Sequence, residues 1–129
     1  MSVESGSEKM MSLRTVAMPA NANPVGDIFG GWIMSQMDIA GGVYAYEIAK
    51  GRVATVAVDG MSFHLPVYIG DVVSCYCSTH RVGNTSLAVL VETWVRRRQS
   101  AQVEKVTEGV FTFVALDANG KPRPVFQDD

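Results

Sequence analysis

Most apolar residues of the chain fall into one long segment and several shorter ones. The long segment covers about residues 30–50, has no strict alternation and is apolar on nearly every side. That pattern is typical of a helix buried on most sides. Gly51 follows where helices often stop, and Lys50 in the last turn suits the helix dipole. The pattern therefore predicts one long helix from about Gly30 to Lys50.

The shorter apolar segments are rich in β-forming residues and predict five strands. Their ranges are 11–18, 52–61, 71–82, 85–98 and 102–116. Gly83-Asn84 predicts a hairpin turn between the third and fourth strands, and the DANG stretch at 117–120 closes the fifth. One long helix with five strands predicts an α+β fold in which a curved antiparallel sheet wraps around a single central helix.

The chain length of 129 residues suits one domain. We expect a disordered polar tail at residues 1–10, a single domain at 11–123 and a C-terminal tail at 124–129. A lone helix cannot cover both faces of the sheet. Apolar surface is therefore expected to remain, including Trp32, Tyr44, Trp94 and the outer faces of the strands, and it predicts an oligomer.

The composition argues against nucleic acid and membrane as partners. Eleven basic against thirteen acidic residues give a net charge of −2, a poor electrostatic basis for binding nucleic acid. No apolar run approaches the roughly 18 residues of a membrane span, and the polar N-terminus lacks the apolar core of a signal peptide. We expect a cytoplasmic protein that binds neither nucleic acid nor membrane.

The two cysteines, Cys75 and Cys77, lie in a predicted strand. Their i, i+2 spacing places them on one side, about 7 Å apart, so a disulfide between them is not expected. With His64 and His80 they form a zinc set by composition, but without the tight spacing of zinc sites. We therefore expect small buried thiols, no metal and no cofactor.

Asp38 is the most unusual polar residue because it lies in the middle of the predicted helix among apolar neighbours. A buried carboxylate needs a partner or a use. One interpretation is a carboxylate satisfied by a neighbouring hydroxyl or backbone amide. The other is a general base or nucleophile in a cleft. Gly41 and Gly42 indicate close approach beside it, by a ligand or by a packed strand.

Glycines flank the start of the helix in the segment GDIFGG, residues 26–31. Free N–H groups at a helix start stabilise an oxyanion, and Gly30 and Gly31 would let a substrate come close. A simple cap of the helix by Asp27 is the alternative. Asp38 is about 10 Å from Gly31 along the helix, too far for one carbonyl to touch both. If both act, they come from different subunits.

The Arg96-Arg97-Arg98 run ends the fourth predicted strand, with Arg96 and Arg98 on one face. A solvated strand end is one interpretation. A clamp for the phosphates of a substrate is the other.

Several motifs together resemble a known family. NPVGDIFGGWIMSQMDIAGG, GRVATVAVDGMSF, PVYIGDVV, VGNTS, VETWV and FTFVALDANGKPR are similar to the bacterial YciA-type acyl-CoA thioesterases of the hotdog-fold superfamily. The resemblance covers about residues 11–123. It implies a hotdog fold, a homodimer with a continuous sheet as the minimal active unit, and often a trimer of dimers. It also implies hydrolysis of acyl-CoA to a free acid and coenzyme A.

The resemblance also implies site residues. Asp38 corresponds to the family's general base or nucleophile. Asp27 occupies the position at which related double-hotdog thioesterases have an asparagine that works with the helix aspartate of the other half. The backbone of Gly30 and Gly31 would polarise the thioester carbonyl. Substrate binding falls to Asn23, Arg81, Gly83, Asn84, Thr85 and Ser86, with Arg96 and Arg98 as candidates. Two positions depart from the family pattern: Val25 replaces a loop asparagine, and Leu65 replaces a frequent basic residue.

Two other functions stay open from the residues. A non-catalytic acyl-CoA-binding hotdog protein would have the same pocket. A hotdog hydroxyacyl thioester dehydratase would need a histidine paired with an acid on or near the helix, and no histidine lies in residues 30–50.

Overall fold

The structure, a computed structural model, describes residues 9–127. It contains one long helix and five strands: β1 (Met10–Val16), α1 (Gly30–Ala49), β2 (Val53–Phe63), β3 (Val72–Val82), β4 (Ser86–Arg96) and β5 (Val103–Ala115). A short 3-10 helix, Pro19–Asn21, lies in the loop between β1 and α1. The predicted helix and strands are confirmed, each with bounds within two residues of the expected ones.

The five strands form one antiparallel sheet in the order β1-β3-β4-β5-β2. The middle strands β3, β4 and β5 are sequential neighbours. The strands β1 and β2 lie at opposite edges because α1 carries the chain from one edge to the other. The predicted α+β hotdog architecture, a sheet wrapped around one helix, is confirmed.

Helix α1 packs one face against the sheet, where Ile33, Met37 and Tyr44 are buried. A β-carbon at Gly41 would lie 3.0 Å from the ring of Phe113, so glycine is required by close packing on β5. For Gly41 the packing explanation is therefore confirmed.

The opposite face of α1 corrects an expectation. The helix is not buried on most sides, because Ile39, Val43 and Tyr46 are 51%, 45% and 57% exposed. These residues are spaced i, i+4 and i+7, so they form one continuous apolar stripe along the helix.

The end of α1 differs in detail from the expected glycine stop. The residue in the left-handed conformation is Lys50, with φ of 56°, and its N–H donates to the carbonyl of Tyr46. The guanidinium of Arg123 donates to the carbonyl of Ala49 at 2.9 Å. A β-carbon at Gly51 would lie 2.7 Å from this guanidinium, so a larger residue there would displace the end of the Arg123 side chain.

Ordered structure extends beyond the expected domain bounds at both ends. The first eight residues of the predicted N-terminal tail lie outside the described residues. Lys9 donates to the buried Glu92 at 3.0 Å and Met10 begins β1, so these two belong to the domain. Val125 is 1% exposed, and its N–H donates to the carbonyl of Asn84, so the domain extends beyond residue 123.

The outer face of the sheet is more polar than expected. Trp94 is half-buried and donates from Nε1 to Glu92 at 3.1 Å. Tyr44 was expected at the surface but is buried, with its hydroxyl 2.7 Å from that of Thr79. Exposed apolar side chains lie on α1, along β2, where Val56 and Val58 are exposed, and on β1, where Met10, Met11 and Val16 are exposed. Across residues 9–127 no helix combines the length and the apolar character needed to span a membrane.

Candidate active site

The loop before α1 is closed by its own hydrogen bonds. The side-chain oxygen of Asn23 accepts from the N–H groups of Val25 and Asp27, each at 3.0 Å. The N–H of Asn23 in turn donates to the carbonyl of Asp27 at 2.7 Å. Gly26 has φ of 94°, a conformation that favours glycine. Asn23, expected in substrate binding, thus uses its side-chain oxygen to shape this loop.

The connection between β2 and β3 fixes the loop from the other side. The N–H of Ile28 donates to the carbonyl of Val67 at 2.9 Å, and Asp27 pairs with Tyr68 in an isolated β-bridge. The carboxylate of the buried Asp71 accepts from the N–H of Tyr68 at 2.9 Å. The start of α1 is therefore held against a wall formed by residues 63–68.

Arg97 anchors that wall. Its guanidinium donates to the carboxylates of Asp71 and Glu104, each at 2.7 Å, and to the carbonyl of Pro66 at 2.9 Å. It also lies over the ring of Tyr68, 5.2 Å from the centroid. Burial lowers the pKa of Arg97, but the two carboxylates outweigh it and raise that pKa above its usual value. Sequence reasoning passed over Arg97 in favour of its neighbours.

Arg96 and Arg98 are both exposed, but they do not share a face. Strand β4 ends at Arg96, so the strand alternation on which the pairing depended stops there. Arg96 lines a depression with Arg14, Tyr76 and Trp94, whereas Arg98 lines a different one with Tyr68. Neither of these two depressions is lined by both arginines, so a single chain gives no support to the interpretation of a phosphate clamp.

The start of α1 opens onto a cleft of about 460 Å³, here called the helix-start cleft. It is lined by Asn23, Asp27, Ile28, Phe29, Gly30, Ile33, Phe63, His64, Leu65, Pro66 and Val67. Phe29, not Asp27, occupies the N-cap position, and no side chain among the described residues caps the helix there. The interpretation of Asp27 as a simple cap is therefore wrong.

The first N–H groups of α1 are available to a ligand. No atom of residues 9–127 accepts a hydrogen bond from the N–H of Gly30 or Gly31. A β-carbon at Gly31 would meet no atom of its own chain within 4 Å. Two N–H donors at the positive end of a helix, with open space in front of them, can stabilise a developing oxyanion.

Phe63 and His64 are cleft residues that the sequence did not reveal as such. Both are exposed, and Phe63 lies near Gly30, whose β-carbon would be 3.5 Å from the ring. His64, which the sequence suggested only as a possible zinc ligand, lines this cleft. No sequence spacing links the end of β2 to the start of α1, so only the fold brings them together.

Asp38 lies on α1 away from this cleft. It is half-buried, not enclosed among apolar side chains, and its Oδ1 accepts a hydrogen bond of 2.6 Å from the hydroxyl of Thr55 on β2. The expected hydroxyl partner is therefore present. The next residue along the helix, Ile39, lines a separate groove of about 460 Å³. Its lining consists of Ile39, Gly42, Val43, Tyr46, Glu47, Arg52 and Val53.

The hairpin between β3 and β4 lies at the same end of the sheet as Thr55. In the sheet register Thr55 pairs with Phe113, Phe113 with Leu87, and Leu87 with Val82, directly before the turn. The turn is closed by a hydrogen bond from the N–H of Gly83 to the carbonyl of Ser86. The expected substrate-binding residues of this turn thus share an end of the sheet with Thr55 and Asp38.

Apart from Arg96 and Arg98, the expected site residues of one chain therefore form two groups. The first comprises Asn23, Asp27, Gly30 and Gly31 around the helix-start cleft. The second comprises Asp38 and, farther along the sheet end, Arg81, Gly83, Asn84, Thr85 and Ser86. Seven helical residues, about 10 Å, separate Gly31 from Asp38. One chain does not bring the two groups onto one small reacting centre.

The cysteines take no part in either group. Cys75 and Cys77 are free, fully buried thiols, as expected. Burial raises the pKa of both, that of Cys77 to about 12. Within the described part of the chain, no three His, Cys, Asp or Glu side chains are grouped so as to hold a metal ion.

Comparisons with known proteins agree on one family. The model of the thioesterase superfamily matches residues 25–102. The acyl-CoA thioester hydrolase YciA of Salmonella typhimurium is 54% identical over 116 residues, which are 88% of this chain and 87% of that protein.

Solved structures are similar in fold. The hexameric thioesterase y2039 from Yersinia pestis matches with a TM-score of 0.87 and 52% identity, over 91% of this chain and 96% of that one. An acyl-CoA hydrolase from Staphylococcus aureus, in complex with butyryl coenzyme A and coenzyme A, matches with a TM-score of 0.85 and 27% identity. That match covers 98% of this chain and 79% of that one.

Proposed function

This chain belongs to the thioesterase superfamily, and from that premise we propose that it hydrolyses acyl-CoA thioesters to a free carboxylic acid and coenzyme A. One observation carries the proposal beyond family membership. The carboxylate of Asp38 on α1 is half-buried and is held by a hydrogen bond from the hydroxyl of Thr55. A positioned carboxylate that is still partly exposed has the properties of a general base or a nucleophile.

The chemistry follows two routes from this carboxylate. As a general base, Asp38 takes a proton from a water whose oxygen attacks the thioester carbonyl. As a nucleophile, its carboxylate attacks the carbonyl directly and forms an anhydride that water then hydrolyses. In both routes the C–S bond breaks and the thiolate of coenzyme A leaves and is protonated. Both routes use a carboxylate and backbone N–H groups, so the proposal requires no metal and no cofactor.

The oxyanion that forms on the carbonyl needs donors, and the N–H groups of Gly30 and Gly31 supply them. Because Gly31 and Asp38 of one chain are about 10 Å apart, the donors come from a second chain. We therefore propose that each active site combines Asp38 of one subunit with the helix-start cleft of its partner. Asp27 lies in that cleft and would approach Asp38 from the partner side.

A homodimer is then the minimal active unit. Ile39, Val43 and Tyr46 expose an apolar stripe beside Asp38, and a second copy would cover it. Within the described residues β2 pairs with β5 alone, so its second edge is free to extend the sheet across the dimer. The Yersinia relative is hexameric, which supports a further assembly of three such dimers.

For the coenzyme A moiety we propose the hairpin turn after β3. Arg81 and the turn residues Gly83, Asn84, Thr85 and Ser86 combine a cation with backbone N–H groups and hydroxyls, which suit phosphate and amide recognition. Arg96 and Arg98 line separate depressions, so each is proposed only as an individual phosphate contact. A cytoplasmic location fits the two free thiols, which are typical of a reducing compartment.

The proposal is tested by incubating the purified protein with acyl-CoAs of increasing chain length and measuring released coenzyme A with a thiol reagent. The protein's own thiols contribute little background because they are fully buried. We expect saturable release of one coenzyme A per carboxylic acid formed.

The same experiment separates the alternatives. Saturable binding of acyl-CoA without release of thiol would show a non-catalytic binding protein. Dehydration of a hydroxyacyl-CoA with no hydrolysis would show a dehydratase, and either result would contradict the proposed function.

A further inference from the structure

A short segment after β5, residues 122–125, has been given no role so far and is here called the C-terminal strap. The chain reverses direction in the turn 117–120, and Pro122 then pairs with Leu116 in an isolated β-bridge. Val125 at the end of the strap is 1% exposed and belongs to the hydrophobic core. The strap is therefore packed onto the domain.

The side chain of Arg123 fastens the strap to the end of α1. Its guanidinium donates to the carbonyl of Ala49, the last residue of α1, at 2.9 Å and to that of Leu116 at 3.2 Å. It also donates to the carbonyls of Pro124 and Val125, at 2.9 and 3.4 Å. A cation at the C-terminal end of a helix is favourable, and hydrogen bonds from a charged donor are stronger than neutral ones.

The strap in turn holds the hairpin turn between β3 and β4. The N–H of Val125 donates to the carbonyl of Asn84 at 2.8 Å. The peptide bond between Asn84 and Thr85 is trans, so its carbonyl and its N–H point to opposite sides. The N–H of Thr85 therefore points away from the strap, and no atom of the described range 9–127 accepts a hydrogen bond from it. This N–H is free to donate to a ligand.

We infer that Arg123 is a positioning residue for the recognition of coenzyme A. It holds the strap, and the strap orients the peptide group between Asn84 and Thr85 so that the Thr85 N–H faces the substrate. The inference rests on the proposed function, in which this turn binds the coenzyme A moiety. A donor held in one orientation loses less freedom on binding a phosphate or amide oxygen, so it binds that oxygen more tightly.

Three variants separate positioning from the loss of a charge. Arg123→Met keeps a long side chain and removes its donors. Lys121→Met is the matched control, because it removes the same charge from an exposed side chain two residues away. Gly51→Ala keeps the charge and displaces only the guanidinium, since its β-carbon would lie 2.7 Å from Nη2 of Arg123, the movable end of that side chain. Gly51→Ala therefore tests the contact even where Arg123→Met folds poorly.

Binding of free coenzyme A, measured by calorimetry, is a direct readout that does not depend on hydrolysis. We expect Arg123→Met to raise the Kd by about 5-fold, the size of effect that one lost hydrogen bond produces. Gly51→Ala should raise the Kd by a smaller factor, and Lys121→Met should leave it near the wild-type value. In hydrolysis of acyl-CoA by Arg123→Met, KM should rise while kcat stays nearly unchanged.

A truncated substrate separates positioning from a general loss of structure. An acyl thioester of N-acetylcysteamine keeps the thioester and the adjoining amide but lacks the phosphates and the remaining part of coenzyme A. We expect Arg123→Met to hydrolyse it with the kcat/KM of the wild type, because the moiety proposed to bind at the turn is missing. A partly unfolded protein would lose activity towards both substrates alike.

Failure of this inference is distinct from failure of the proposed function. Wild-type Kd values for coenzyme A in both Arg123→Met and Gly51→Ala would overturn the role of Arg123. Equal losses of kcat/KM for the two substrates, or an equal rise of Kd in Lys121→Met, would overturn it as well. A wild-type protein that releases no thiol from any acyl-CoA would instead contradict the proposed function itself.

Discussion

The two halves of the proposed site differ in how one chain builds them. The walls of the helix-start cleft are held in place by the Asn23 loop, the Asp27–Tyr68 bridge and the guanidinium of Arg97, all within one chain. Among the described residues, the Asp38 carboxylate accepts one hydrogen bond, from Thr55, and an exposed apolar stripe lies beside it. The difference supports our proposal that the donor side is pre-formed within one chain and that the carboxylate side is completed by a second subunit.

Asp38→Asn is the change with the largest expected effect on this comparison. It keeps the size of the side chain and the hydrogen bond acceptor but removes the charge, so we expect kcat to fall by at least about 100-fold. Melting temperature should change little because Asp38 is only half-buried. Steady-state kinetics checks the outcome, with the exposed β2 variant Asp59→Asn as the control. A wild-type rate in Asp38→Asn would remove Asp38 from the mechanism.

Arg97→Met tests whether the helix-start cleft is held as described. The change leaves the carboxylate of Asp71, which is 2% exposed, without its cation, so the free energy of unfolding should drop by about 2 kcal/mol. Denaturant unfolding measures this. The matched control is Arg96→Met, an exposed neighbour that should shift stability by less than about 0.5 kcal/mol. Equal effects of the two changes would contradict the anchoring role of Arg97.

A smaller effect is expected from a glycine pair on the Asp38 half. Gly41→Ala forces a methyl group against the Phe113 ring and should destabilise the protein by about 1 kcal/mol. In Gly42→Ala the new methyl would lie 3.8 Å from that ring, in ordinary contact, and the better helix propensity of alanine should leave stability unchanged or slightly higher. Thermal melts of both variants check the difference. The reverse order would mean that close packing on β5 does not explain Gly41.

The sequence predicted the fold well because each element had a local signal. The helix from Gly30 was marked by its apolar length and by the glycines around it, and the β3–β4 hairpin by Gly83-Asn84. The positions of β1 and β2 at the sheet edges could not be derived locally, since they depend on where α1 leads the chain. The apolar stripe of α1 was not distinguished from a buried face, because burial depends on packing partners.

The candidate site could be predicted only in part. Asp38 was identified because a carboxylate among apolar helix residues is unusual, and its hydroxyl partner was foreseen as a class but not as Thr55. Arg97 was missed because the predicted strand alternation placed it on the face opposite Arg96 and Arg98. In the structure β4 ends at Arg96, so the alternation does not extend to Arg97 and Arg98. His64 and Phe63 reach the helix-start cleft only through the tertiary fold.

The central claim, that one site is shared by two chains, is tested most directly by complementation. Asp38→Asn lacks the acting carboxylate, and the valine side chain of Gly31→Val blocks the space in front of the N–H donors, so each variant alone is expected to be inactive. Gly31→Val fits its own chain because nothing lies within 4 Å of its β-carbon. The two are unfolded, mixed in equal amounts and refolded together, and hydrolysis is measured after mixed dimers are confirmed by mass spectrometry. A shared site predicts recovery of about a quarter of the wild-type rate, since each mixed dimer contains one site with both lesions and one with neither. No recovery despite confirmed mixed dimers would contradict the shared site.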